Sequence, residues 1–191
     1  HAAGRLAELM KAQLAELNFL DVEFEIAVQR MEEPGADGAD DVEFLISTNP
    51  GESLKPLGRI ASGGELSRVM LAIKTVLADQ DAIETVIFDE IDTGISGRTA
   101  QKVSEKLALI GRSRQVICIT HLAQLASMAD SHYCIEKRAV DGSTQTGIRL
   151  LDEQESVEEL ARILGGAQIT DAVIDNAREM KKLAQKFKAH R

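Results

Sequence analysis

The segment TVIFDEIDTGISG, residues 85–97, decides the fold class of this chain. A short apolar run ends there in two carboxylates and a glycine-containing turn, which predicts a strand buried on both faces. A helix is expected at about residues 98–110, before Gly111, and a second buried strand, QVICIT, should end at His121. Strand, helix and strand within this length predict a βαβ unit with parallel strands and a right-handed crossover. The helix residues expected to face inward are Ala100, Val103, Leu107 and Ile110.

Four further segments repeat apolar residues at helical spacing. They are residues 6–17, the stretch after Ser62, residues 156–164, and the chain from Thr170 onward. The stripe after Ser62 is expected to bury Leu66, Val69, Met70, Ile73 and Leu77.

Alternating apolar residues predict antiparallel strands at residues 22–28 and 42–46, joined by the acidic loop MEEPGADGADD. Further strands are expected at residues 132–137 and 147–151. The predicted fold is therefore α/β: a mostly parallel sheet flanked by helices, with an antiparallel hairpin near the N-terminus.

The composition describes a chain that can bury a core but is acidic as a whole. Of its 191 residues, 44% are apolar, and the formal net charge is -9. This length predicts one domain or lobe. Because phosphate binding relies on lysine and arginine, the charge argues against the whole surface being a nucleic-acid platform. Any DNA contact must be local or lie elsewhere. The one local candidate is a basic run that also suits a solvated helix face: Arg178, Lys181, Lys182, Lys186, Lys188 and Arg191.

The sequence gives no sign of a membrane span or an export signal. No run approaches the roughly 18 apolar residues that a span needs, and the N-terminus lacks an apolar signal core. We therefore expect a cytoplasmic protein. Cys118 and Cys134 have no metal-ligand spacing, so we predict reduced thiols buried in strands.

Ser62, Gly63, Gly64 and Glu65 lie at the expected start of a helix. Ser62 and Glu65 have the spacing of a capping box. Glycine inside a helix costs about 1 kcal/mol relative to alanine, so the two glycines indicate that something approaches this backbone closely. The positive end of the helix dipole favours a phosphate group. A structural helix start and an anion-binding one both remain open.

Asp89 and Glu90 follow the first strand of the βαβ unit, and His121 follows the second. Ligands of open α/β sheets collect beyond the carboxyl ends of the strands. Neighbouring strand residues point to opposite sides, so one carboxylate can serve a hydrated Mg²⁺ while the other orients or deprotonates a water. The alternatives are solvated acids and a structural histidine.

Three blocks in series resemble the head of an ABC-type ATPase. ASGGELSR, residues 61–68, resembles the signature motif; VIFDEIDTGISG, residues 86–97, resembles Walker B with its following loop. THLAQLA, residues 120–126, resembles the segment that carries the switch histidine. The last two blocks are most similar to the SMC-like branch, in particular to members that act in recombinational repair of DNA double-strand breaks.

This resemblance implies roles for the candidate residues. Segment 62–65 would contact the γ-phosphate of an ATP that is held by an opposing head, with Glu65 completing the helix cap. Asp89 would hold Mg²⁺ through water, Glu90 would polarise the attacking water, and His121 would contact the γ-phosphate. Phosphoryl transfer needs mainly such positioning and charge stabilisation.

The sequence departs from the family pattern at three points. Ser96 stands where many ABC proteins have aspartate, which puts the contacts of that loop across a dimer in doubt. Ala61 precedes the signature serine where many relatives have leucine, a change expected to be minor. The P-loop pattern G-x-x-x-x-G-K-[ST] is missing.

The resemblance therefore implies only the C-terminal lobe of a head, at residues 21–191, preceded at residues 1–20 by the end of a coiled-coil arm. The pattern of residues 6–17 suits an ordinary surface helix equally well. The implied partners are the N-terminal P-loop lobe of the same protein, a second head in a homodimer, and DNA, with nucleoid association and no membrane. By itself this chain is expected neither to bind ATP tightly nor to hydrolyse it. The alternatives are a non-catalytic dimerisation or DNA-tethering module and the nucleotide-binding subunit of a transporter.

Overall fold

The computed structural model describes residues 1–190 except 20, 37, 50, 61, 78–81, 141–142 and 167, and it leaves out the side chains of 138–140 and 143. Ala61, next to the signature serine, and Arg191, in the basic run, lie outside the described residues. The backbone forms two compact units, His1–Ile119 and Thr120–Arg191, where the composition predicted one lobe. In the described residues no helix is long and apolar enough to cross a membrane.

Among its described residues the first unit contains three helices, five strands and a short 3-10 turn. In chain order these are α1 (Ala2–Glu16), β1 (Glu23–Gly35), β2 (Gly38–Ser47), β3 (Lys55–Pro56), the 3-10 turn (Leu57–Arg59), α2 (Gly63–Val76), β4 (Thr85–Phe88), α3 (Gly97–Ile110) and β5 (Gln115–Cys118).

The second unit contains α4 (Ala123–Ser127), β6 (Tyr133–Val140), β7 (Ser143–Leu150), α5 (Glu153–Gly165) and α6 (Asp171–Ala189). β6 and β7 pair antiparallel, with Tyr133 opposite Leu150. The three helices share a core of small and branched apolar side chains: Ala123, Ala126, Val157, Leu160, Ala161 and Ala177. Both strands are longer than the sequence predicted.

The βαβ unit is present as predicted. β4 and β5 pair in parallel from Thr85 opposite Gln115 to Phe88 opposite Cys118, and α3 lies between them in sequence. Every residue expected to face inward from α3 is buried. β5 ends at Cys118, before the expected His121, although Ile119 N still donates to Phe88 O at 3.0 Å.

The prediction that these strands are buried on both faces was wrong for this chain. Phe88 is 3% exposed, but Ile87 is 65% exposed and Ile117 is 43% exposed. Alternate side chains of a strand point to opposite faces, so one face of the pair carries bare isoleucines. Parallel pairing in the described residues is limited to β4 and β5.

The N-terminal hairpin is antiparallel as predicted, but most of its expected loop is strand. β1 runs to Gly35 and β2 begins at Gly38, with an irregularity in the ladder between Arg30 and Gly35. Phe24 and Ile46 pair and are buried. Towards its tip the hairpin is solvent-exposed, so polar side chains are compatible with continued backbone pairing there.

α2 buries a different face from the predicted stripe. Val69 is buried, but Leu66 and Met70 are each 37% exposed. The buried residues are Gly64, Arg68, Val69, Leu71 and Ala72. The helix is therefore rotated so that its glycine and arginine lie inward.

α5 begins at Glu153, three residues before the expected start, because a complete capping box forms there. Glu155 N donates to Asp152 Oδ1 at 2.8 Å, and Asp152 N donates to Glu155 Oε2 at 2.9 Å. The spacing of Asp152 and Glu155 was the available sequence signal.

Replacing Leu160 with alanine should lower the free energy of unfolding by about 2–5 kcal/mol, because Leu160 is fully buried and its loss leaves a cavity. Leu183→Ala on α6 is the matched control: this leucine is 56% exposed, and the change should cost less than about 0.5 kcal/mol. Urea unfolding followed by far-ultraviolet circular dichroism measures both. Equal losses would contradict the assigned core.

Candidate functional site

The candidate site lies in the first unit, where β4 ends. Asp89 and Glu90 follow Phe88 in a bend and are exposed, whereas the next residues, Ile91 and Asp92, are buried at 0% and 3% exposure. The buried pair anchors the turn, so that both carboxylates face solvent at the carboxyl end of a parallel pair. This is the edge at which α/β sheets bind ligands.

Glu90 adopts an unusual backbone conformation. Its φ is +56°, in the left-handed region that few residues other than glycine occupy. Glu90 N donates to Asp89 Oδ1 at 2.9 Å, and Thr93 N donates to Glu90 O at 3.0 Å. Such strain persists only where the surroundings hold it, and it sets the direction of the Glu90 side chain.

The first turn of α2 packs directly against this turn. A Cβ on Gly64 would lie 2.9 Å from Thr93 Cβ and 3.0 Å from Glu90 O, and a Cβ on Gly63 would collide with Glu90 Oε2. A side chain at position 64 is therefore excluded by contacts within the chain, whereas a side chain at position 63 only requires the flexible Glu90 side chain to move. The packing gives Gly64 a structural reason, and contact of this helix start with a nucleotide stays a prediction.

Ser62 caps α2 as predicted. Its Oγ accepts a hydrogen bond from Glu65 N at 3.4 Å. A capping box has two such hydrogen bonds, and the described structure gives this one at α2.

Two side chains that sequence reasoning missed tie α2 to the turn. Ser67 Oγ donates to Asp89 O at 2.8 Å, and Arg68 Nη1 donates to Thr93 O at 2.9 Å. With Gly64, they lie three and four residues apart on one helix face, which is the signal that was available in the sequence.

Arg68 is buried at 8% exposure, and its guanidinium lies 5.4 Å from the centre of the Phe19 ring. Burial lowers the pKa of this guanidinium, and the nearby Glu65 carboxylate acts in the opposite direction. Within the described part of the chain, Arg68 Nε is buried without a hydrogen-bond partner.

Two further residues entered the predictions, Ser96 and His121. Ser96 is the N-cap residue of α3 and makes no side-chain capping bond within the described structure. His121 belongs to the second unit, where it is exposed in a bend before α4. Its role therefore stays a prediction.

Burial and the nearby carboxylates raise the pKa of the thiol at the end of β5. Cys118, a half-buried free thiol at the end of β5, has its pKa raised to about 12 by burial and then by Asp92 and Asp89. Cys134 is also a half-buried free thiol, in β6, so both cysteines lie in strands as predicted.

The basic run of α6 is only partly a solvated face. Arg178 pairs with Asp175 at 2.9 Å, and Lys188 pairs with Asp130 at 2.6 Å. Lys181 is half-buried and donates to Ser156 Oγ at 3.0 Å. These contacts within the second unit use part of the run internally.

Comparison with known proteins identifies the relatives of this chain. Protein-family models give no match. The DNA repair protein RecN of Halalkalibacterium halodurans is 44% identical over 183 residues, 96% of this chain and 32% of that protein. RecN of Bacillus subtilis is 50% identical over 151 residues, 79% of this chain and 26% of that protein. The chain is homologous to part of the RecN proteins.

The predicted SMC-like resemblance is thereby confirmed, and RecN is the relative that the three blocks indicated. The chain spans about a third or less of the length of these RecN relatives (32% and 26%). An Smc head domain with a coiled coil and joint from Pyrococcus yayanosii matches 81% of this chain and 28% of its own, at a TM-score of 0.56 and 21% identity. This match confirms the predicted fold class.

Gly64→Ala should destabilise the chain by about 1–3 kcal/mol, although alanine favours a helix, because the new methyl group meets two backbone oxygens and Thr93 Cβ. Gly63→Ala is the matched control: it meets only the flexible Glu90 side chain, so stability should change by less than about 1 kcal/mol. Urea unfolding distinguishes them. A Gly64→Ala chain as stable as the parent would disprove the close approach.

In a Cys134→Ser background, Cys118 should react slowly with iodoacetamide at pH 9. With a pKa of about 12, only about one thiol in a thousand is ionised, against about half for an unperturbed thiol at 9.0. The folded chain should therefore react at least about 100-fold more slowly than the chain in urea. Mass spectrometry over time gives both rates, and equal rates would exclude the raised pKa.

Proposed function

We propose that this chain is the C-terminal lobe of an SMC-like ATPase head, part of a longer RecN protein that acts in recombinational repair of DNA double-strand breaks. The observation that carries the proposal is the packing of segment 62–68 on the turn 89–93, at the carboxyl end of a parallel strand pair. Homology to RecN over 96% of the chain supports it.

In this proposal the two carboxylates divide the work on ATP. Asp89 is a single exposed carboxylate with one oxygen already bonded to Glu90 N, which suits Mg²⁺ that keeps most of its waters and binds nucleotide phosphates. The ion would neutralise charge on those phosphates. Glu90 accepts a proton from, or orients, the attacking water. His121 contacts the γ-phosphate.

Segment 62–65 is proposed to contact ATP bound to an opposing head in a head-to-head homodimer. Gly63 is exposed and Ser62 is half-buried, so both are accessible at the start of α2. Helix N–H groups in the first turn lack intrahelical acceptors and favour a phosphate. Gly64 is buried, and as the second residue of α2 it contributes a backbone N–H that lacks an intrahelical acceptor.

Exposed apolar side chains in both units are consistent with a second lobe that covers them in the whole protein. Ile87 and Ile117 are exposed in the first unit. In the second unit, two cross-strand pairs of the β6–β7 hairpin are more than half exposed: Tyr133 with Leu150, and Ile135 with Ile148. Monomeric proteins rarely leave such patches uncovered. We infer that the N-terminal P-loop lobe of the same protein covers them and that DNA is bound by the intact protein.

Two alternative functions lead to different expectations. A dimerisation or DNA-tethering module would bind ATP without turnover. The nucleotide-binding subunit of a transporter has no support among the relatives described above, which are DNA repair proteins.

ATP hydrolysis should be absent from this chain alone and appear when it is joined to a segment that carries a P-loop. Glu90→Gln should then lower turnover by at least about 100-fold while ATP binding persists, because general-base catalysis contributes that much. Glu84→Gln, an exposed glutamate just before β4, is the matched control and should leave turnover unchanged. Phosphate release measures turnover.

Each other outcome is informative. Turnover by the chain alone would contradict its assignment as an incomplete head. ATP binding without turnover in the joined form would favour the tethering module. Equal turnover of the Glu90→Gln and Glu84→Gln forms would remove Glu90 from its catalytic role.

A further inference from the structure

We propose that Arg68 is a positioning residue that holds the Glu90 turn against α2, with Phe19 fixing its guanidinium. The inference rests on the proposed function, because it concerns the placement of the carboxylate that acts on water. Arg68 itself would touch neither nucleotide nor water.

Two consecutive hydrogen bonds connect Arg68 to Glu90. Arg68 Nη1 donates to Thr93 O at 2.9 Å, and Thr93 N donates to Glu90 O at 3.0 Å. Because Glu90 has a φ of +56°, its side-chain direction depends on the turn staying closed. Releasing Thr93 O lets the turn relax towards ordinary backbone angles and moves the carboxylate.

Phe19 orients the guanidinium from the other side. Its ring is 4% exposed and lies 5.4 Å from Arg68 Cζ, within the range of cation–π attraction. Phe19 N donates to Leu14 O at 3.1 Å, so the backbone that carries the ring is bonded to the end of α1. The guanidinium therefore lies between a buried ring and the turn.

Stability alone does not account for an arginine here. The Glu65 carboxylate favours the charged guanidinium, but its effect is smaller than that of burial, and within the described residues Arg68 Nε is buried without a hydrogen-bond partner. Burying a charge that is only partly compensated is costly, and an apolar side chain of similar length avoids that cost. A positioning task explains why the charged, hydrogen-bonding group is present.

The test uses the intact protein that contains both lobes. Arg68→Met should lower kcat for ATP about tenfold or more, since a small misplacement of a catalytic group has effects of this size, with KM little changed. Its melting temperature should fall by less than about 4 °C. Arg68→Lys should recover part of kcat, because an ammonium group can still donate to Thr93 O.

Lys106→Met is the matched control. Lys106 is also a buried cation of this unit; it contacts Gln13 and Glu16 of α1 and is not bonded to the turn. The Lys106→Met variant should be less stable than the wild-type protein and have an unchanged kcat. Phe19→Leu should lower kcat less than Arg68→Met, and the double variant should be no worse than Arg68→Met alone. A kcat for Arg68→Met that falls no further than that of Lys106→Met overturns the inference.

A second measurement separates this inference from the proposed function. If the wild-type protein shows no turnover, the proposed function fails, and amide hydrogen exchange then decides the role of Arg68. The Thr93 amide should exchange at least about tenfold faster in Arg68→Met than in Lys106→Met, since opening of the turn exposes it. Equal exchange rates in the two variants overturn the positioning role.

Discussion

The site depends on the close approach between the first turn of α2 and the turn after β4. Gly64 allows this approach, because Thr93 Cβ and Glu90 O occupy the space that a side chain would need. The same approach brings Ser67 and Arg68 within hydrogen-bonding distance of Asp89 O and Thr93 O. Two hydrogen bonds thus join a helix start and a strand end that are 22–25 residues apart in sequence.

This packing changes the meaning of the segment SGGE. Its serine caps the helix, and its second glycine, Gly64, is required by contacts within the chain. A helix start that was built for packing still has the positive dipole and free N–H groups that attract phosphate. The structural and anion-binding interpretations therefore do not compete: the same bare turn can seat a neighbouring loop on one side and present its backbone to a ligand on the other.

The two units leave apolar surface uncovered in a way that fits a partial head. The bare isoleucines of β4 and β5 occupy strand positions that a covered sheet would bury, and the β6–β7 hairpin shows cross-strand apolar pairs on one face. The sequence predicted buried strands from these same residues. Buried strands would be expected in a sheet that is covered on both faces. This chain spans about a third of the length of its RecN relative from Halalkalibacterium halodurans.

The sequence by itself determined the local structure and the family. The periodicity of residues 85–118 predicted the βαβ unit, and the three motifs in series predicted the SMC-like resemblance, because both signals are carried by neighbours along the chain. Tertiary structure alone decided which face of α2 is buried, how Glu90 is held at positive φ, and that Arg68 supports the turn. These features arise where segments that are distant in sequence meet. The fit of Gly64 against Thr93 depends on the distance between α2 and the turn after β4, and the residue pattern within either segment does not specify that distance.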